Sequence, residues 1–210
     1  MRVTPQVQAA TRRRILDVAQ ELFASQGFDA TTTRDIAKSA GIATGTMFNY
    51  FRSKEAVVGR LAADALADLG AEFNEGNREG SSLEEDLFAF VAAGLRRLKP
   101  LRKHLPVVLG TALSPVRPNA DEDGRQLRVS HLETVSQLAH KHGVKELPAM
   151  ALQMYWSLYA GLLLFWAGDT SPRQEDTLAL LDHSVEMFVT WLSDSSGKPQ
   201  EPQEIRICQP

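Results

Sequence analysis

An all-α fold is the expectation for this sequence, and three observations carry it. Apolar residues recur at three- and four-residue intervals almost from end to end. Long β-branched runs with strand alternation are missing. Capping residues and glycines punctuate the chain at the spacing of helix starts and stops. The predicted architecture has about nine helices: a three-helix head at the N-terminus, a long fourth helix, and a larger helical body.

Each element has its own signal. In the first helix, over 11–25, Ile15, Val18, Ala19, Leu22 and Phe23 follow i, i+3, i+4, i+7, i+8 spacing and form one apolar stripe. Gly27 then fits a left-handed helix stop. Thr31, Thr32 and Thr33 offer capping oxygens to a short second helix over 34–40, closed by Gly41. Ile42-Ala43-Thr44 connects tightly to a short third helix over 44–51. Ser53 caps a fourth helix that reaches about residue 74.

Residues 79–82 break the pattern. Ser82 and Glu85 have capping-box spacing for a helix that runs to Leu98 and stops before Pro100. A helix over 101–113 contains Pro106, tolerable early in a helix or as a kink. Residues 114–119 form a loop, and 121–142 a helix with Gly143 as its stop. Two closing helices follow, over 148–168 and 172–193, the last opened by Ser171 and a proline at its first position. Residues 195–210 are rich in Gly, Pro, Gln and Glu and read as a flexible tail.

Hydrophobic content of 43% and charged content of 23% describe a soluble globular protein. The net charge of −3 argues against a general nucleic-acid coat, but it is unevenly spread. Residues 1–54 carry eight Lys/Arg against four acids, so a basic head sits on an acidic body, the asymmetry expected when one end meets a polyanion. The one cysteine, Cys208, permits no intrachain disulfide, which makes the reducing cytoplasm the default location. The N-terminus lacks the apolar run of a secretory signal. Residues 147–168 contain no charge and are long enough to span a bilayer. Pro148, Gln153, Ser157 and Gly161 interrupt them, and the aromatics sit mid-segment, so a helix buried on several faces and no membrane partner is the expectation.

Residues 32–51 carry the most specific pattern. Two short helices joined by a turn of about three residues containing glycine have helix-turn-helix geometry, whose second helix enters the major groove while the first crosses the backbone. Thr44, Gly45, Thr46, Asn49 and Tyr50 lie on the side of the third helix away from Met47 and Phe51. Thr hydroxyls exchange hydrogen bonds with base edges, and their methyls touch the thymine methyl. Gly45 lets the backbone come close to the groove floor. Thr33 can offer its hydroxyl and backbone N–H to a phosphate, the Tyr50 hydroxyl suits a phosphate oxygen, and Arg34 and Lys54 add positive charge. Ile15, Leu22, Phe23, Phe28, Ile36, Ala37, Ile42, Met47, Phe51 and Val57 would fill the core between these helices.

Ala19-x-x-Leu22-Phe23, Gly27-Phe28, Thr32-Thr33-Arg34-Asp35-Ile36-Ala37, Ala40-Gly41-Ile42, Gly45-Thr46, Tyr50-Phe51 and Ser53-Lys54-Glu55 are also landmarks of a family. With them, residues 15–58 resemble the DNA-binding head of the TetR (tetracycline-repressor) regulators. The resemblance implies a homodimer that sets the third helix of each subunit in one half-site of a palindromic double-stranded operator. Carried over position by position, it points to Thr33, Arg34, Thr44, Gly45, Thr46, Phe48, Tyr50 and Lys54, with Asn49 beside them. Phe48 stands where the family often has Tyr, Asn49 where His or another polar residue is common, and Thr44 is a short reader. These departures bear on which operator is read.

The chain so divides into a helix-turn-helix domain over 1–55 (its paired helices over 32–51), a ligand-binding and dimerisation domain over 56–194, and the tail. In the last helix Leu178, Leu181, Val185, Phe188 and Leu192 form one stripe, and Leu180, Met187 and Trp191 another. Two apolar faces suggest that one packs internally and the other on a second chain. Trp156, Leu163, Leu181, Val185, Phe188 and Leu192 are the interface candidates. Phe88, Val91, His104, Leu105, His131, Val135, Met154, Tyr155, Tyr159 and Phe165 are candidates to line a pocket for an apolar or amphipathic inducer. His140 and His142, two residues apart, do not face one way on a helix, and no metal or other cofactor is expected. With no nucleophile–base pair or phosphate loop visible, a regulator, most simply a repressor released by its ligand, is the leading reading. A ligand-independent DNA-binding activator, or a helical enzyme or carrier, is the alternative.

Overall fold

The computed structural model describes residues 4–76, 80–106 and 122–196. Within them the chain is all-helical: α1 (Pro5–Gln26), α2 (Thr33–Ser39), α3 (Thr44–Tyr50), α4 (Lys54–Leu66), α5 (Leu69–Glu75), α6 (Leu83–Leu98), a 3₁₀ segment (Lys99–His104), α7 (Glu122–Lys141), α8 (Ala149–Gly168), a 3₁₀ turn (Pro172–Gln174) and α9 (Glu175–Ser196). The expected helix over 101–113 passes into 107–113. That stretch, the loop over 114–119, the tail beyond 196 and Cys208 lie outside the described residues.

Two apolar clusters organise these helices. In the head, Ile15, Ala19 and Phe23 of α1 meet Ile36 and Ala37 of α2, Met47 of α3, and Phe28 and Phe51 from the connections. In the body, α6 forms the floor, with Leu87, Phe90, Leu95 and Leu98 packed against α4, α5, α7 and α9. Helix α4 belongs to both. Its Val57 and Val58 enter the head cluster, Ala62 enters the body cluster, and Leu61 touches both.

Several boundaries differ from expectation for identifiable reasons. Helix α1 begins six residues earlier than predicted, because Thr4 caps the N–H of Val7 at 3.4 Å and Pro5 takes the first helical position. The fourth helix is interrupted: Ala67 donates to Asp64 only three residues back, and a turn at Ala67 and Asp68 separates α4 from α5. Gly27 is not a left-handed stop. Its φ of 88 and ψ of 159 send the chain straight out to bury Phe28. Gly41 (φ 66) does make such a stop: Ile42 N–H reaches the Ala37 carbonyl at 3.0 Å and Gly41 N–H the Lys38 carbonyl at 3.1 Å, a Schellman pair. Helix α8 is long and apolar enough to cross a membrane, yet it is not buried on several faces as expected. Ala151, Tyr155, Tyr159, Leu162, Leu163 and Trp166 face the body, while Met150, Leu164 and Phe165 are exposed.

Candidate nucleic-acid interface and body cavity

The turn between α1 and α2 sets the geometry of the head. Thr32 caps α2 through a complete capping box: its hydroxyl oxygen accepts from Asp35 N–H at 3.2 Å, and its own N–H donates to Asp35 Oδ2 at 2.9 Å. The Thr32 hydroxyl, donating to Asp35 Oδ2 at 2.6 Å, and after it the Thr32 N–H hold the Asp35 carboxyl below the usual carboxylate range. Beside them Thr31 is fully buried, its hydroxyl donating to the Gly27 carbonyl at 2.7 Å. The α2 axis is thereby fixed, and the Gly41 stop swings α3 across it.

Only Met47 of α3 is fully buried. Gly45, Phe48 and Asn49 are exposed and Thr44 and Thr46 half-buried, so the predicted residues share one outward side. Tyr50 is half-buried against the head core. On α2, Thr33 is half-buried and Arg34 exposed. Two details are informative. Among the described residues, a Cβ at Gly45 would meet nothing beyond α3's own backbone within 4 Å, so their packing does not require a glycine there. Phe48 leaves 48% of its surface in solvent with no internal cluster to join.

Lys54 has a role within the fold itself. Its ammonium donates to the carbonyls of Phe28 at 2.7 Å, Thr31 at 3.2 Å and Asp29 at 3.4 Å, and lies 4.2 Å from the centre of the Phe28 ring. Through these bonds Lys54 clamps the start of α4 to the α1–α2 corner. A lysine opening a helix gives no sequence signal of three converging carbonyls 23 to 26 residues away.

The body contains a cavity of about 270 Å³ between the α4–α5 wall, α6 and α7. Three of the expected residues line it: Val91, His131 and Tyr159. A smaller apolar space towards α9 shares Val91 and Tyr159 and adds Tyr155, Val185 and Phe188. Leu105 and Val135 are buried in the body core, Phe88 is half-buried against it, and His104 packs on the head; these four and Met154 line neither space. Phe165 points outward, 45% exposed. The reading of residue types missed the polar side of the cavity, Asn74, Ser130, Glu133, Thr134 and Gln137. Ser130, Thr134 and Gln137 recur on one face of α7 at three- and four-residue steps, a signal that could have found them.

Aromatic rings floor the cavity. His131 stacks on Tyr159 at 4.1 Å and exchanges a hydrogen bond with the Tyr155 hydroxyl at 3.0 Å through Nε2. Burial lowers its pKa to about 3, which favours the neutral imidazole. Burial likewise pushes the Tyr159 phenol up, keeping it protonated. The floor is therefore uncharged, apolar on its ring faces, and able to hydrogen-bond.

The interface candidates are redistributed. Leu163, Leu181, Val185, Phe188 and Leu192 are buried in the chain's own core, and Trp156 packs on His131 and Tyr159. The reason is register: α9 turns this stripe towards α6 and α8. On the other stripe Leu180 and Met187 are exposed and Trp191 is half-buried against the body core; on α8, Leu164 and Phe165 are also exposed.

Residues 15–61 match the family of bacterial regulatory proteins, tetR family. The likeness extends along nearly the whole chain in YvkB, a HTH-type transcriptional regulator of Bacillus subtilis, 36% identical over 194 residues that cover 87% of this chain and 97% of that protein. The chain belongs to the TetR family. The HTH-type transcriptional repressor KstR2 of Rhodococcus jostii is 41% identical over 68 residues, 32% of this chain and 33% of that repressor. The KstR2 of Mycolicibacterium smegmatis is 34% identical over 106 residues, 50% and 51% respectively, so the chain spans about a third to a half of these relatives. Among solved structures, the FadR repressor of Thermus thermophilus in complex with lauroyl-CoA shares the fold, with a TM-score of 0.65 at 24% identity over 92% of this chain and 98% of that one.

Proposed function

We propose that the chain is a homodimeric transcriptional repressor of the cytoplasm that holds a palindromic operator with α3 and releases it when a small amphipathic molecule enters the body. The observation that carries the DNA-binding half is the side of α3 around Gly45. A glycine inside a helix costs roughly 0.5–1 kcal/mol relative to alanine. Among the described residues nothing outside α3's own backbone lies within 4 Å of a Cβ added there, which supports a surface outside the chain that approaches closer than a Cβ permits. Thr44, Thr46 and Asn49 then supply the base-edge donors and acceptors, Phe48 and the Thr methyls supply apolar contact with thymine, and Thr33, Arg34 and Tyr50 face the phosphates.

The cavity supports the sensing half. Its rings and its polar α7 side suit a molecule with an apolar body and a hydrogen-bonding end. FadR's lauroyl-CoA has that character, which makes acyl thioesters a first class to screen. Because α4 enters both apolar clusters, a ligand that shifts the α4–α5 wall changes the seat of the head. The exposed stripe Leu164, Phe165, Leu180 and Met187 is the surface proposed for the second copy.

The test is titration of selected duplexes against random duplex at several salt concentrations, followed by addition of acyl-CoAs and free fatty acids. A sequence preference that falls on ligand addition supports the proposal. Equal affinity for all duplexes overturns the operator reading. Operator binding untouched by any ligand that thermally stabilises the body overturns the sensing reading.

A further inference from the structure

The 3₁₀ segment Lys99–His104 touches three parts of the molecule at once. With three residues per turn, Leu98 and Leu101 lie on one side and anchor it in the body core. Arg102 leaves on a second side. Its Nε donates to the Trp166 carbonyl at 2.7 Å, its Nη2 donates to the Asp169 carbonyl, and its guanidinium lies 5.5 Å from the Trp166 ring centre. His104, one turn beyond Leu101, enters the head. Its ring lies 5.6 Å from Phe23 and 5.5 Å from Phe28.

Both ends of this segment meet tightly fastened structure. The corner that joins α8 to α9 is held by Asp169, which accepts from Ser171 N–H at 2.7 Å and from Thr177 N–H at 3.1 Å. Trp166 Nε1 donates to Gln174 Oε1 at 2.8 Å across the same corner. At the other end, Phe28 meets both the His104 imidazole and the Lys54 ammonium, in the turn whose carbonyls Lys54 gathers. Such fixed ends pass on a displacement instead of absorbing it.

We propose that Arg102 and His104 are the two ends of a strut that couples the α8–α9 corner to the α1–α2 turn of the DNA-binding head. Neither residue touches the proposed reading face; both are positioning residues. The α8–α9 corner follows the helix that lines the cavity with Tyr159 and closes the surface proposed for the second copy, so both events report to α2 and α3 through these two side chains. The regulatory meaning of the strut rests on the function proposed above. The mechanical coupling does not, and it can be measured without DNA or ligand.

The test is amide hydrogen exchange on the full-length chain, with residues 126–140 of α7 as the internal reference for general loosening. Arg102 makes its polar contacts in the body only, yet Arg102→Gln is expected to raise exchange over 24–31 in the head about three-fold or more relative to α7. Conversely, His104→Ala raises exchange over 164–170 in the body. His104→Phe, which keeps a ring against Phe23 and Phe28, restores the wild-type pattern. Changes confined to each residue's own neighbours, or a uniform rise that includes α7, overturn the strut. A second arm measures duplex affinity, expected to fall about five-fold or more in Arg102→Gln. No duplex binding by the wild-type chain defeats the operator reading while leaving the exchange result to decide the strut. Unchanged affinity alongside the exchange effect overturns its regulatory role.

Discussion

The head and the body are built from the same helical period, yet they differ in how far that period determines which side chains face out. Helices α2 and α3 have seven residues each, room for one buried stripe and no more. Once Ile36 and Ala37 of α2 and Met47 of α3 are assigned to the core, the remaining residues must face outward. Helices α8 and α9 have 20 and 22 residues and carry apolar side chains on two sides. There the period identifies the stripes without saying which one turns inward; packing against α6 decides. Short elements tie burial and exposure together, and long apolar ones separate them.

The sharpest way to break this comparison lies in two adjacent residues of α9. Phe188 is 2% exposed and Met187 57%. Phe188→Ala is expected to cost about 3–5 kcal/mol in denaturant unfolding, while Met187→Ala stays within about 0.5 kcal/mol for the folded chain. Sedimentation at falling concentration should then show Met187→Ala dissociating first. Equal costs at the two positions would return α9 to the reverse register.

A second prediction concerns acid. The folded His131 pKa, near 3, lies below the ordinary imidazole value of 6.5, so the unfolded chain takes up the proton more readily. Its contribution is complete above pH 6.5 and is lost as pH falls from there towards 3, with a slope of up to about 1.4 kcal/mol per pH unit. His131→Phe should flatten that limb of the stability–pH curve. An unchanged slope would mean that the ring is not held neutral in the core.

Lys54 sharpens the comparison within the head. Losing the three carbonyl bonds in Lys54→Ala should destabilise the head by about 1–3 kcal/mol with no DNA present. A phosphate contact would instead leave stability intact and lower the salt slope of duplex binding by about one. Melting curves and salt titrations of one variant separate the two roles. The smallest effect has opposite signs in two assays. Gly45→Ala fits the chain without a clash and should stabilise α3 by about 0.5–1 kcal/mol, yet weaken duplex binding. Gains in both would remove the argument for close approach.

Legibility follows the same division. The ten residues proposed from sequence for the head core all lie in or against the head cluster, because local spacing, the Thr32 cap and the Gly41 stop specify it. The outward residues of α3 follow from that core. The clamp made by Lys54 is not legible because its partners, the carbonyls of Phe28, Asp29 and Thr31, are remote in sequence. In the body, His131 and Tyr159 were found through their residue types, whereas Gly70, whose added Cβ would fall 2.4 Å from Thr134 Oγ1, shows a close approach of α5 and α7 that no local pattern announces. The inward turn of Leu181, Val185 and Phe188 is likewise a property of three packed helices and not of α9 alone.

The central claim is that the side of α3 formed by Thr44–Tyr50 reads DNA. Selection from random-sequence duplex by wild-type chain and by Thr46→Ala tests it most directly. Wild type should enrich a palindrome whose half-sites lie about one helical turn apart, roughly 34–36 Å. Thr46→Ala should keep the spacing and lose preference at symmetry-related base pairs, by about 1–3 kcal/mol each. No enrichment, or an identical preference in both proteins, would contradict the account.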